Sequence, residues 1–337
     1  MKRRTAQTVA AACGMGILIF CAPEAAAGCR EGIELCLHAL IPSLFPFFLV
    51  SCLLTDSLSG RSIAVLRPVE RLCRIPEGSG CLLLTGFLGG YPSGAQSVAQ
   101  AYQSGRISRA DGERMLSFCS NAGPAFLFGM VAPFFDNPLY PWVLWAVHIL
   151  SALAAGFLIP GNCDQFHPSL DTPCLSPVQA MEKAIKSMAS VCSWVVLFRM
   201  TLGLCEPLLS TFLWEECRIA LSGLLELSNG CIRLGGLRQE GLRFFLASGM
   251  LSFGGICVVM QTSSVCAGLS IHKYISGKLL QMGIRLVLSA VLQPLFTPKE
   301  RMDLPWPVVT LLILPVMLTG IRKTQKNKGS IPGMIGV

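Results

Sequence analysis

Runs without a single Asp, Glu, Lys or Arg, each long enough to cross a bilayer, constrain this 337-residue chain more than any other feature. A helix needs about 20 mainly apolar residues to span the hydrocarbon core. Leu35 to Thr55, Ser79 to Gly105, Met115 to Phe135, Asn137 to Cys163 and Phe244 to Ile271 are such runs, and Leu304 to Ile321 is a shorter one. Thr5 to Cys21, Ser187 to Phe212 and Lys273 to Phe296 are further candidates, the last two with internal charges. With 52% hydrophobic and only 14% charged residues, the chain could not cover a water-facing surface. The expectation is an all-α, multi-pass integral membrane protein.

The formal charge of +8 does not make a nucleic-acid binder, because Lys and Arg fall in short clusters between apolar runs and not on a basic face. Their placement reads as membrane topology. By the positive-inside rule the N-terminus with Lys2, Arg3 and Arg4, the loop with Arg61, Arg67, Arg71 and Arg74, the loop with Arg106, Arg109 and Arg114, and the tail with Arg322, Lys323, Lys326 and Lys328 lie in the cytoplasm. Both termini are then cytoplasmic. The connection Asp136 to Pro141, free of Lys and Arg, suits the opposite side; Arg233, Arg238 and Arg243 fall there too, against the rule. The N-terminus imitates a signal peptide ending in Ala25, Ala26 and Ala27, and is read as a retained anchor.

Sixteen cysteines are scattered through apolar runs with no CxxC and no His/Cys cluster at ligand spacing, so they read as small hydrophobes. No Walker loop, dinucleotide fingerprint, HExxH or GxSxG elbow occurs; Gly90 to Gly94 is Gly-Tyr-Pro-Ser-Gly, with Ser93 one place too late for the elbow. No cofactor, metal or enzymatic activity is expected. His38, His148, His167 and His272 are isolated and read as structural.

Two of the uncharged stretches carry too much Gly, Pro and polar character for plain spans. Thr85 to Gln96 contains Gly86, Gly89, Gly90, Tyr91, Pro92, Ser93 and Gly94, and past a charged loop follow Ser117, Ser120, Asn121, Gly123 and Pro124. Proline removes a backbone donor and glycine permits non-helical dihedrals, so helices should break here at membrane depth. Backbone freed in hydrocarbon must be buried in protein or line a polar cavity. The second half repeats the arrangement with Gly223, Glu226, Ser228, Asn229 and Gly230, a loop with Arg233, Arg238 and Arg243, then Ser252, Gly254, Gly255 and, further on, Gln261. Paired interrupted segments in corresponding places point to a secondary transporter with its site at the repeat interface. About eight transmembrane helices plus two re-entrant or broken-helix hairpins, in two inverted-type repeats, are expected. The division reads 1–30 anchor, 31–160 first repeat, 161–180 connecting loop, 181–321 second repeat and 322–337 basic tail.

In these features the chain resembles the YlbJ-type sporulation integral membrane proteins, whose membrane region belongs with the nucleoside-recognition or Gate domains. The residues that carry it are Leu44-Phe45-Pro46-Phe47-Phe48, Gly86 to Gly94, Ser117-Phe118-Cys119 with Asn121, Gly123 and Pro124, Leu225-Glu226 with Asn229-Gly230, and Ser252-Phe253-Gly254-Gly255, across roughly residues 40 to 290. The resemblance implies a carrier of dipicolinate or, more loosely, of a nucleoside, in a bacterial cell membrane or forespore membrane. At Ser120 and Ala122 the family pattern has Asn and Ser, which puts the same polar lining in doubt.

The substrate-binding candidates are Gly90, Tyr91, Pro92, Ser93, Gly94, Ser120, Asn121, Gly123, Glu226, Asn229, Gly230, Ser252, Gly254, Gly255 and Gln261. Glu226 is the carboxylate placed to couple to a proton or cation. Arg199 and Arg285 lie inside spans, as counter-charges for an anion or as structural ion pairs, Arg199 with Glu206. Each has a plainer alternative: Gly86, Gly90 and Gly94 as a small-xxx-small packing face, Asn121 and Asn229 as interhelical glue, Glu226 as an interfacial group. Expected partners are the bilayer and a small-molecule substrate, with no nucleic acid; a homo-oligomer is compatible with the pattern. A non-transporting scaffold of a spore-membrane assembly stays open beside the carrier.

Overall fold

A computed structural model describes residues 2–58, 61, 63–161 and 175–296. The Leu304 to Ile321 span, the basic tail, His167 and most of the connecting loop lie outside the described residues. Every regular element among those residues is helical: α1 (Lys2–Phe20), α2 (Ala22–Leu35), α3 (Ile41–Leu58), α4 (Arg67–Cys73), α5 (Gly80–Gly89), α6 (Ser93–Gln103), α7 (Arg109–Cys119), α8 (Pro124–Phe126), α9 (Leu139–Leu158), α10 (Pro177–Phe212), α11 (Glu215–Leu225), α12 (Leu227–Arg233), α13 (Glu240–Phe253), α14 (Gly255–Val265) and α15 (His272–Phe296). A π turn at Cys36–Leu40 joins α2 to α3, and another at Leu127–Val131 prolongs α8. The expected boundary at residue 30 falls within α2.

Six helices among the described residues are long and apolar enough to cross a membrane: Ala22–Leu58, Arg109–Phe134, Leu139–Leu158, Pro177–Phe212, Glu240–Val265 and His272–Leu295. They are built inside out relative to a soluble bundle. On α15 the stripe Val287, Val291 and Leu295 is exposed, whereas Lys278, Gln281, Arg285, Ser289 and Gln293 are buried. On α10 the exposed side chains include Val178, Ile185, Leu197, Leu208 and Phe212. Apolar residues outside and polar residues inside suit a lipid solvent.

The run Ser79 to Gly105 does not cross. It folds as a hairpin, α5 running in to Gly90 and α6 running back out, because Gly90 takes φ +73° and Pro92 cannot continue the backbone ladder. The second half has the same order of elements. After the long helix α10 comes the hairpin α11–α12, turning at Glu226; then α13 breaks at Gly254 and Gly255 before α14, and α15 closes the set. In the first half the long helix is α2–α3, the broken span is α7–α8, and α9 closes the set. The two long helices brace each other. Gly28 and Gly32 of α2 press on the α10 backbone, where an added Cβ would come within 2.8 Å of Met200 Cα and Val196 Cα.

Loops gather at two ends. At the first, Ser270 N donates to Glu113 Oε1 (3.1 Å), Lys273 Nζ lies 3.9 Å from Glu113, Leu175 N donates to Asp56 Oδ2 (2.6 Å), and Arg114 donates to carbonyls of Cys73, Arg74, Gly156 and Ile159. That places Arg114 across the C-terminal ends of α4 and α9, where a cation offsets the helix dipole. At the second end, the N–H groups of Asp136 and Asn137 donate to Glu240, and Arg243 donates to the Phe134 and Leu237 carbonyls. Two of the three arginines that broke the charge rule sit here with carboxylates: Arg233 pairs with Glu206 at 2.8 Å, as does neighbouring Arg218, and Arg243 lies 3.7 Å from Asp136. The pairing of Arg199 with Glu206 is therefore corrected. Arg199 Nε donates to Glu31 (2.9 Å), which the α2–α10 contact brings to its side.

Candidate functional site

The broken ends meet in the middle of the bundle. Each hairpin holds its two arms together through a glycine pair: a Cβ on Gly94 would stand 2.7 Å from Gly86 Cα, and one on Gly230 would strike Gly223 Cα. Each tip then presses on the break of the neighbouring span. A Cβ on Gly123 would reach Gly90 Cα at 2.9 Å, and one on Gly255 would reach the Gly223 and Leu225 carbonyls at 3.1 and 3.2 Å. Gly254 and Gly255 also have φ of +81° and +87°, a conformation that two consecutive residues with side chains would resist. Gly86 and Gly94 thus pack the arms of the first hairpin together, and Gly223 and Gly230 do the same in the second.

Between these breaks lies a cavity of about 50 Å³, lined by Gly90, Tyr91, Gly123, Glu226, Ser228 and Gln261, with apolar walls from α3, α8 and α10. At roughly 10–15 Å³ of such space per molecule it has room for a few waters. Glu226 is only 3% exposed and caps α12: Oε1 accepts from Ser228 N (3.0 Å) and Oε2 from Asn229 N (2.8 Å). A carboxylate at a helix N-terminus is stabilised by those N–H groups and by the dipole.

Behind Tyr91 stands a second layer. Lys278 Nζ lies 5.4 Å from the centre of the Tyr91 ring and donates to Asn121 Oδ1 (3.0 Å) and Gln281 Oε1 (2.8 Å). Gln281 Nε2 also donates to Asn121 Oδ1 (3.1 Å), while Asn121 Nδ2 donates to the Phe118 carbonyl (2.7 Å). One helical repeat further, Arg285 Nη2 donates to the Leu144 carbonyl (2.9 Å) and Nη1 abuts His148 Nδ1. His148 Nε2 already accepts from Ala122 N (3.1 Å), and a neutral imidazole accepts at only one nitrogen. Arg285 is consequently short of acceptors, and its Nε has no hydrogen-bond partner in the structure. Asn121, His148, Lys278, Gln281 and Arg285 are each 0% exposed. Among the described residues, neither Lys278 nor Arg285 meets a carboxylate.

Of the residues expected to bind substrate, Gly90, Tyr91, Gly123, Glu226 and Gln261 line the cavity. Asn121 and Arg285 belong to the layer behind it, and Ser252 offers its carbonyl to Tyr91 Oη at 3.4 Å. Gly94, Gly230, Gly254 and Gly255 shape the backbone, and Asn229 supplies a capping N–H. Ser93 faces a different cavity, Ser120 is buried with its hydroxyl unpartnered, and Pro92 ends the turn of the first hairpin. Arg199 is far from this centre, in the α2–α10 contact. Lys278, Gln281 and His148 were not among the expected site residues. For Lys278 and Gln281 the signal was present as a polar stripe, Lys278, Gln281, Arg285, Ser289, at helical spacing inside an apolar span.

No family model matches the chain, and no solved structure matches it. A curated protein from Bacillus subtilis (strain 168), named sporulation integral membrane protein YlbJ, is 37% identical over 130 residues, which are 38% of this chain and 32% of that protein. The matched region spans about a third of that relative's length. Over that stretch the chain is similar to this sporulation integral membrane protein, in line with the resemblance read from its motifs.

Proposed function

We propose that this protein is a sporulation-associated membrane carrier of a small anionic metabolite, dipicolinate-like in chemistry. The observation that supports it most is the pair of fully buried cations, Lys278 and Arg285, which meet only neutral acceptors. Burying a charge costs several kcal/mol unless it is paired. A dicarboxylate would supply the pairing that the described residues do not, and Arg would take one carboxylate by its two-pronged fork. The two sets of elements act as inverted repeats about this centre, with the arginine-richer first end cytoplasmic. Because Lys278 lies behind Tyr91, substrate reaches it when the hairpin tip moves, which is the alternating step. Glu226, on the opposite wall, is the group placed to carry a coupling proton or cation.

A scaffold without transport is the second reading, favoured by the tight glycine contacts of both hairpins. Uptake of labelled dipicolinate into proteoliposomes separates the two. The carrier predicts saturable uptake that is lost in Lys278→Met and reduced in Glu226→Gln and Asn121→Ala. Correctly inserted protein with no uptake in either direction would remove dipicolinate and bring the scaffold and nucleoside readings forward.

A further inference from the structure

A second cavity, of about 70 Å³, lies between α3, α5, α6 and α10, outside the site just described. Its wall is polar where a membrane helix would ordinarily be apolar. Ser93, Gln96, Ser97 and Gln100 line it from one face of α6, while Gly94, Ala95, Val98 and Ala99 on the opposite face are buried. Ser51, Thr85 and Ser187 add hydroxyls from α3, α5 and α10. Three charged residues line it: Arg106, whose Nε donates to Ser104 Oγ (2.9 Å); Lys183; and Asp56, whose Oδ2 is taken up by Leu175 N (2.6 Å). Arg106, Asp56 and Leu175 belong to the first end.

The inner limit of this cavity is the hairpin tip. Gly89 lines the central cavity, and an added Cβ there would meet Ser93 Cβ at 2.9 Å and Ser51 Cβ at 3.7 Å, both residues of the polar one. A single layer of chain, residues 89–93, therefore divides the two spaces.

We infer that this polar cavity is a water-filled site that admits small organic anions from the first end and holds them against the outer face of the hairpin tip. Its lining carries two cations to one carboxylate, so the local potential favours anions. The polar face of α6 supplies hydrogen bonds along the path, which freed backbone or polar side chains at membrane depth require.

Cysteine modification tests this without any need for transport. In full-length protein in vesicles, Ser93→Cys, Ser97→Cys and Gln100→Cys are treated from either face with an anionic and a cationic methanethiosulfonate, with Arg109→Cys as the exposed control; peptide-resolved mass spectrometry reads each position, so native cysteines stay. The expected result is modification from the face that labels Arg109→Cys and not from the other. Rates should fall from position 100 to 93 and favour the anionic reagent, and Lys183→Gln should slow the anionic reagent roughly five-fold and speed the cationic one by a similar factor, as a unit charge at close range in water would. Unreactive Ser97→Cys beside a reactive Arg109→Cys, or equal rates for both reagents, would overturn the inference. A labelled, anion-selective cavity in a protein that shows no uptake would sustain this site and remove the carrier.

Discussion

The two hairpins share a frame and differ in chemistry. Both join their arms through facing glycines and seat their tips on a broken neighbour. Yet the first turns on uncharged Gly90, Tyr91 and Pro92 beside a span whose Asn121 receives Lys278, whereas the second turns on a carboxylate that closes on its own backbone. Geometry is repeated and charge is not. The charged groups, Glu226, Lys278 and Arg285, all come from the second half, while the first supplies neutral partners in Tyr91, Asn121 and His148.

The sharpest way to test the shared frame is to load its glycines. A methyl on Gly86 lands on the Cys119 backbone carbonyl, but one on Gly223 lands on the bendable Met250 side chain. Gly86→Ala should cost about 3 kcal/mol or more and Gly223→Ala about 1, by the usual range for overpacking. Thermal unfolding of the purified variants reads the difference, and equal losses would mean that the two hairpins are not packed as described. Next in size is Asn121→Ala, which strands Lys278 and Gln281 donors in a sealed site at a cost of about 2–3 kcal/mol, whereas Ser120→Ala beside it removes a hydroxyl with no partner and should change stability by less than about 0.5. Glu226→Gln keeps one capping acceptor but loses the charge at the α12 N-terminus, for a loss of about 1 kcal/mol in the same assay. The smallest effect belongs to Tyr91→Phe. Its hydroxyl contacts are long, 3.4 Å to the Leu251 and Ser252 carbonyls, and the ring over Lys278 is retained, so a change beyond about 0.5 kcal/mol would show that the hydroxyl does more.

Much of this frame was legible in the sequence, because breaks in membrane helices have a local cause. Gly90 with Pro92, Gly123 with Pro124, and the Gly254–Gly255 pair each announce the backbone they adopt. Which charges meet was not legible. Arg199 has Glu206 on its own helix, but Glu31 reaches it from α2, and Glu206 instead serves Arg218 and Arg233. Isolated His148 gave no sign of facing Arg285 from a different helix. Lys278 and Gln281 could have been found by reading polarity around α15 and not only along it, since the buried face of a membrane helix is the polar one.

The length of α10 has a consequence for what surrounds the protein. Its 36 residues extend about 54 Å at 1.5 Å per residue, well beyond a hydrocarbon core of about 30 Å. Ser187 to Phe212 alone, about 39 Å, crosses that core when tilted by roughly 40°. The preceding turns, with Glu182, Lys183 and Lys186, then stand among the lipid head groups, and with them the mouth of the polar cavity. At a surface potential of about −30 mV an anionic leaflet thins a dianion there roughly ten-fold. The charge of the lipids that a cell gathers around this protein therefore sets the concentration of anion that Lys183 meets.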